Sequence, residues 1–371
     1  MQKIMYLCPV DWRWIKQRPQ FLAEELSLYF DMHVLYPYKN NRRGLQKGVH
    51  TQVRLTPWIT LPTLGGKLRF IGKVNAALSK LQMAIAMKKI KPDILWVSMP
   101  WQIDFFSESV SCQIVYDCMD DYAAISADRV GVKELMAQEK RLIERADVIF
   151  ASSENLRHVL ESRYRIEKDR IQLLRNGYNA NWTYTAAQPK AVNKECTHTV
   201  RVGYFGTIGR WFDFELLMNS LQQYPQVEYH LFGPIEAGID IPQNERLIYC
   251  GVLEHDKLKE QAEQMDALMM PFLLNDIVRS VDPVKLYEYI WMEKSILCIR
   301  YPEIERFEPF VLFYRTKEEY MKQLEAVIRK EKIKYTKEQA VDFLEENNWR
   351  RRAQQAAEII NEIKKCRGEE L

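Results

Sequence analysis

Short apolar runs alternate with amphipathic stretches along most of the 371 residues. In the first half, IMYLCPV, MHVLYPY, DILWVS, QIVYD, DVIFASS and RIQLL have the length and apolar continuity of strands buried on both faces. Between them, PQFLAEELSLYF (Pro19 near its start), KLRFIGKVNAALSKLQMAIAMKKI and VKELMAQEKRLIERA predict helices. Such a βαβα rhythm predicts a parallel sheet with helices on both faces. It pauses at RNGYNANWTYTAAQPKAVNKECTHT, a polar, aperiodic stretch with Asn-Gly and Pro that predicts a linker over 179–198. It then restarts with strands VRVGYFG, VEYHLFG, RLIYCG, ALMMPF and SILCIR and helices FDFELLMNSLQQY, HDKLKEQAEQM and VKLYEYIWM. KEQAVDFLEENNWRRRAQQAAEIINEIKK predicts helix throughout.

The predicted organisation is therefore α/β: a domain over 1–178, the linker, and a second domain over 199–345. A last helix over about 346–371 crosses back to the first. Two such domains in series face each other across a cleft, and ligands of open α/β sheets bind at the carboxyl ends of the strands.

Composition adds two constraints. The seven cysteines, at 8, 112, 118, 196, 250, 298 and 366, show no CxxC or Cys/His spacing, which predicts reduced thiols in a cytoplasmic protein and no metal site. No stretch reaches 18 apolar residues, so no membrane span is expected, and the opening MQKIMYLCPV is strand-like rather than a signal peptide. Charge is uneven. From Met32 to Pro92 there are twelve Lys or Arg and no Asp or Glu, while the whole chain carries +3, which leaves −9 elsewhere. An acid-free window of this kind predicts an anionic surface as partner. Within it, GKLRFIGKVNAALSKLQMAIAMKKI has the mixture of lysines and apolar residues of a helix lying on anionic lipid; a solvated helix face is the plainer alternative.

Four segments could carry chemistry. In RVGYFGTIGRWFDFELL a strand ends in Gly203, Gly206 and Gly209, followed by a helix; glycines let backbone N–H groups approach a phosphate, although they also serve a tight βα turn. The spacing GxxGxxG is not the dinucleotide GxGxxG. In ALMMPFLLNDIVRSVDPVKLYEY, Asp282 is a good N-cap and Pro283 suits the first helical position. A cation near a helix N-terminus opposes the macrodipole, so Lys285, with Arg279, predicts a bound diphosphate; Glu288, three residues on, could accept from a ribose diol. A surface Lys–Glu pair is the plainer alternative. In CPVDWRWIKQRPQFLAEEL, Trp12 and Trp14 offer stacking faces and Arg13, Lys16 and Arg18 offer charge for an acceptor substrate. In QIVYDCMDDYAAI, Asp120 and Asp121 are alternative general bases or helix caps, with Asp117 structural.

FGTIGRW, HLFGP, IYCG…ALMMPF and SVDPVKLYEY, in this order, resemble the donor domain of a GT-B glycosyltransferase of the family 4 type. QRPQFLAEEL, YDCMDD and ADVIFASS look like bacterial cell-surface polysaccharide transferases and resemble the teichuronic-acid biosynthesis group among them. The resemblance implies a hexosyltransferase with an acceptor-binding N-terminal domain and a C-terminal domain holding a nucleotide sugar, UDP-linked, on Gly206, Gly209, Arg210, Arg279, Lys285 and Glu288. It implies no metal or other cofactor. Family 4 enzymes close the donor site with Glu-x7-Glu; Glu288 matches the second position, but Ser280 stands at the first. Arg210 matches the first of a family Arg and Lys pair; FDFELL stands where the lysine should follow, and Lys285 is its substitute. The implied acceptor is a lipid-linked or polysaccharide glycan of the cell envelope, met on the cytoplasmic face of the membrane. A UDP-sugar 2-epimerase shares the fold but needs carboxylates and a histidine around the sugar that have no counterpart here. A basic nucleic-acid-binding protein lacks any recognisable module in the window.

Overall fold

The computed structural model describes residues 1–14, 16–38, 51–61, 69–127, 131–167, 169–179, 199–253, 257–331 and 334–368. The chain divides into two compact units, 1–176 with 348–371, and 177–347.

The first unit is a seven-stranded, all-parallel sheet. Its strands are β1 (Lys3–Leu7), β2 (Asp31–Pro37), β3 (Arg54–Trp58), β4 (Ile94–Val97), β5 (Gln113–Cys118), β6 (Val148–Ala151) and β7 (Ile171–Leu173), in the order β3-β2-β1-β4-β5-β6-β7. Helices Arg18–Leu26, Arg69–Ile90, Val132–Arg145 and Glu154–Tyr164 connect them. β4 and β6 are buried end to end and β1 from Ile4 onward, as the apolar runs require for a sheet covered on both faces. One core lies on each face: Tyr6, Trp96 and Phe150 stack on one, and Leu7, Val97 and Tyr116 belong to the other. The C-terminal helix Trp349–Gly368 returns to this unit, where Trp349 stacks on Phe21 with ring centroids 5.6 Å apart.

The second unit is a six-stranded parallel sheet of β8 (Val200–Phe205), β9 (Val227–Phe232), β10 (Leu247–Gly251), β11 (Ala267–Met270), β12 (Ser295–Ile299) and β13 (Val311–Tyr314). Its order, β10-β9-β8-β11-β12-β13, repeats the doubly wound pattern of the first unit. In each sheet the strand order reverses beside the unit's first strand, between β1 and β4 and between β8 and β11. Crevices for ligands open at such points.

Two expectations change. The C-terminal stretch is not one helix: Lys337–Glu346 ends at Asn347, and a second helix starts after Asn348, whose side chain accepts from the Arg351 N–H at 2.9 Å. Paired asparagines favour caps over helix interior, and the boundary between the units falls between them. The helix after Arg279 begins at Val284 with Pro283 as its N-cap, one residue later than expected. The expected linker over 179–198 lies, except for Asn179, outside the described residues, as do Lys39, Arg42, Arg43, Lys47 and Lys67 of the basic window. Among the described residues, no helix is long and apolar enough to cross a membrane. Cys8, Cys112, Cys118, Cys250 and Cys298 are free.

Candidate functional site

In the second unit, the two segments singled out for a diphosphate follow β8 and β11, the strands on either side of the switch point. The Gly206 N–H donates to the Phe232 carbonyl at 2.9 Å, and the Ile208 N–H to the Pro234 carbonyl at 2.9 Å. Glu236 N–H returns to the Ile208 carbonyl at 2.9 Å, making a parallel bridge between Ile208 and Ile235. Alternation along an extended backbone then turns the Thr207 and Gly209 amides away from this bridge. Gly233 permits the close approach. Its φ is +138°, and a Cβ there would lie 2.0 Å from the Gly206 carbonyl oxygen.

The same loop is closed on its other side. Phe212 bridges Phe272, Asp213 N–H donates to the Pro271 carbonyl at 2.8 Å, and Leu273 N–H donates to the Trp211 carbonyl at 2.7 Å. Tyr289, on the helix Val284–Trp291, accepts from the Phe205 N–H at 2.9 Å. The glycine loop and the Lys285 helix are therefore one construction at the carboxyl edge of the sheet.

On it, Gly206 and Gly209 sit in the loop and Arg210 is exposed just beyond, its N–H 3.4 Å from the Glu236 carboxylate. Arg279 is exposed at the end of the short helix Asp276–Arg279, which Asn275 caps through the Val278 N–H. Lys285 Nζ lies 2.9 Å from Glu288 Oε2; the lysine is one-third exposed and the glutamate nearly buried. Asp282 does not cap the helix. Its buried carboxylate pairs with Arg306 and accepts from the Tyr287 hydroxyl. A guanidinium held in the protein needs a carboxylate more than a helix start with a proline cap does, and that demand takes Asp282.

In the first unit, the placement of the acceptor candidates is mixed. Trp12 is 3% exposed and packs in the core, so it offers no stacking face. Arg18 is also buried: its guanidinium spans both oxygens of Asp117 at 2.6 and 3.2 Å and donates to Asn176 at 3.0 Å. A pair withdrawn from water in this way fixes the helix Arg18–Leu26 against the end of β5 and is structural. Arg13 grips Asp11 at 2.8 and 3.0 Å and lies over the Tyr38 ring. Trp14 is partly exposed, and Lys16 pairs with Glu24 at 2.5 Å near the surface.

The two aspartates after β5 separate. Asp121 caps the short helix Tyr122–Ile125 through the Ala124 N–H and receives both guanidinium nitrogens of Arg163 at 2.7 and 2.8 Å. Behind it, buried Glu139 accepts from the Tyr116 and Tyr164 hydroxyls at 2.6 and 2.7 Å. Asp120 has no hydrogen-bond or ion-pair partner for its carboxylate among the described residues. Burial raises its pKa; the Arg18 guanidinium draws it back and neighbouring Asp121 pushes it further up. A carboxyl poised in this way suits proton transfer, whereas Asp121 is committed to holding the backbone.

The sequence did not point to Gly233, Tyr289 or Arg306. Gly233 stood in HLFGP as a motif letter, without its contact to Gly206.

No family model matches the chain. A relative from Bacillus subtilis (strain 168), bearing the name of a teichuronic acid biosynthesis glycosyltransferase, TuaH, is 24% identical over 217 residues. These cover 54% of each protein, so the chain spans about half the length of the curated relative it matches. Solved structures match over nearly the whole chain. Sucrose-phosphate synthase from Thermosynechococcus elongatus has a TM-score of 0.74 at 13% identity, covering 99% of this chain and 100% of that one. Anabaena HepE, solved with UDP and glucose, has 0.69 at 14%, covering 97% and 100%. WaaG, a glycosyltransferase of lipopolysaccharide biosynthesis, has 0.62 at 12%, covering 97% and 99%. Likeness at this identity establishes the fold. The two-sheet α/β architecture is that of the GT-B glycosyltransferases, as the sequence motifs imply.

Proposed function

We propose that the chain is a hexosyltransferase that moves a sugar from a nucleotide sugar, UDP-linked, to a lipid-linked or polysaccharide acceptor in cell-envelope glycan synthesis. One observation carries the donor half: the glycine loop and the Lys285 helix are bonded into a single edge at the switch point of the second sheet. The name of the TuaH relative and the UDP and glucose bound by HepE support the same reading.

In this reading the diphosphate lies against the Thr207 and Gly209 amides at the start of the glycine loop. Lys285 leaves Glu288 for the phosphate oxygens, and Glu288, released, accepts from the ribose hydroxyls. Arg210 and Arg279 are exposed side chains able to swing to the same anion. When the bond between the anomeric carbon and the diphosphate oxygen breaks, negative charge grows on the leaving phosphate. Fixed amides and these cations stabilise it more in the transition state than in the bound donor.

The acceptor is assigned to the first unit, near Arg13, Trp14 and Lys16, and Asp120 takes the proton of the attacking hydroxyl. The acceptor's lipid would keep the enzyme on the cytoplasmic face of the membrane. The test is a UDP-release screen across several UDP-sugars with membrane extract as acceptor. Turnover with one donor, lost in Lys285→Ala and Glu288→Ala, is expected. Unchanged turnover in both variants would remove the donor site.

A further inference from the structure

The helix Arg69–Ile90 carries four lysines of the acid-free window, Lys73, Lys80, Lys88 and Lys89, on its exposed side. Ser79, Met83, Ala86 and Ile90 are buried against the sheet. The opposite face is exposed, and its centre is apolar: Leu81 and Ile85 are each 58% exposed, with Ala77 and Ala84 beside them. At 3.6 residues per turn, Leu81 and Ile85 fall about 40° apart. Lys73 and Lys80 flank them on one side, Lys89 on the other and Lys88 below, all exposed.

A second segment extends this patch. After β3 the chain runs beside the helix, and two helix side chains replace a backbone partner. Gln82 accepts from the Ile59 N–H and donates to the Ile59 carbonyl, both at 2.9 Å. Asn75 does the same for Leu61 at 2.7 and 2.9 Å. These clamps hold Ile59 and Leu61, 58% and 45% exposed, on the Ile85 side of the helix. Four large apolar side chains on a rigid support, ringed by lysines and with no acid in the window, are costly to leave in water. Long lysine stems can lie along an apolar surface while their ammonium groups reach anions at its edge.

We infer that this face docks on an anionic lipid surface by inserting Ile59, Leu61, Leu81 and Ile85 between headgroups that Lys73, Lys80, Lys88 and Lys89 bind. The inference deepens the proposed function by naming where a lipid-linked acceptor would be met, and rests on that reading only for its purpose. Charge complementarity selects lipid over a second copy of the chain, whose own lysines would oppose them across a symmetric contact.

The full chain is sedimented with vesicles of phosphatidylglycerol and phosphatidylcholine, and of phosphatidylcholine alone, over a salt series. Tight binding to the anionic vesicles is expected, falling with salt to a residual level. Replacing the four lysines by glutamine should cost roughly fivefold per lysine at low salt. Leu81→Ser with Ile85→Ser should remove most of the salt-resistant remainder, about tenfold. Both sets lie on the exposed face, so melting and UDP binding should stay unchanged. Binding indifferent to lipid charge, or a residual level untouched by the serine pair, would overturn the inference. So would a dimer that the serine pair dissociates, because a second copy would then cover the patch. Vesicle binding without sugar transfer would count against the glycosyltransferase reading alone, and transfer to a soluble acceptor without vesicle binding against the docking alone.

Discussion

Replacing Gly233 by alanine tests the construction on which the proposed donor site depends. The new Cβ would lie 2.0 Å from the Gly206 carbonyl oxygen and 2.7 Å from its carbon. An ordinary approach needs about 3.2 Å, so one of the two loops must retreat by about 1 Å. Both obstructing atoms are backbone, which no rotamer change can relieve. The residue also keeps a φ of +138°, which costs an alanine about 1–3 kcal/mol before any clash. Together the substitution should destabilise the second unit by about 3–5 kcal/mol, lowering its melting temperature by roughly 10 °C. Gly238→Ala is the control: its φ is +86°, and nothing lies within 4 Å of the new methyl group. It carries the dihedral cost without the collision and should shift melting by only a few degrees.

Calorimetry with UDP separates shape from stability. Below the transition, displacement of the Gly206–Gly209 loop should weaken UDP binding in Gly233→Ala by roughly tenfold or more, since a 1 Å error in placed donors is expensive. Gly238→Ala should bind as the parent does. If the two variants melted together and bound UDP equally, the contact between Gly233 and Gly206 would not be holding the loop, and the donor geometry argued from it would fail.

Asp120→Asn should lower turnover by about 10²–10⁴-fold without loss of folding. An acid whose folded pKa is raised binds more protons folded than unfolded, so its contribution weakens as pH rises through that interval; the asparagine variant should therefore melt slightly higher at neutral pH. Turnover of the parent should climb with pH across a window above the ordinary carboxylate range, and a flat profile there would exclude Asp120 as base. Asp121→Asn keeps a competent helix cap but removes the bidentate partner of Arg163, leaving it only the longer pair with Glu139 at 3.9 Å, and should lose about 2 kcal/mol in denaturant melts. Lys285→Ala should cut kcat/KM by about 10²-fold while Lys16→Gln raises only the acceptor KM. Arg18→Gln, which strands buried Asp117, should cost about 3–5 kcal/mol in chemical unfolding.

Much of the fold was legible because its central strands are buried on both faces and so read as unbroken apolar runs. The two strands with no counterpart among the predicted runs, β3 and β13, are both edge strands. RLTPW in β3 is largely exposed and contains Pro57, which is tolerated at an edge and argues against a strand when read alone. VLFY in β13 is only four residues long. The glycine loop was legible because glycine declares a backbone need in the sequence itself. What Gly233 contributes was not, because the need arises from a carbonyl twenty-seven positions earlier in the chain. Trp12 misled for a related reason: an indole serves equally as a ligand platform or as core, and only the tertiary fold decides between them.

Charged residues near the sheet ends divide by what they are closed against. Arg18 meets Asp117 across 99 positions, Arg163 meets Asp121 across 42, and Arg306 meets Asp282 across 24. In each pair the carboxylate is withdrawn from water, and removing its arginine would leave that charge buried without its partner, so each pins a distant segment in place. Two of them hold the start of the helix Arg18–Leu26 to the end of β5, and the Asp121 cap to the helix Glu154–Tyr164. The third holds the entry to the Lys285 helix. Against this fixed background, Asp120 has no such partner among the described residues, and Lys285 is joined to a neighbour on its own helix turn, a pairing that can open at small cost. The long-range pairs therefore supply position, and the loosely held groups beside them are the ones free to meet a substrate's charge. Spacing along the sequence could nominate both kinds; only the partner, tens of residues away, tells them apart.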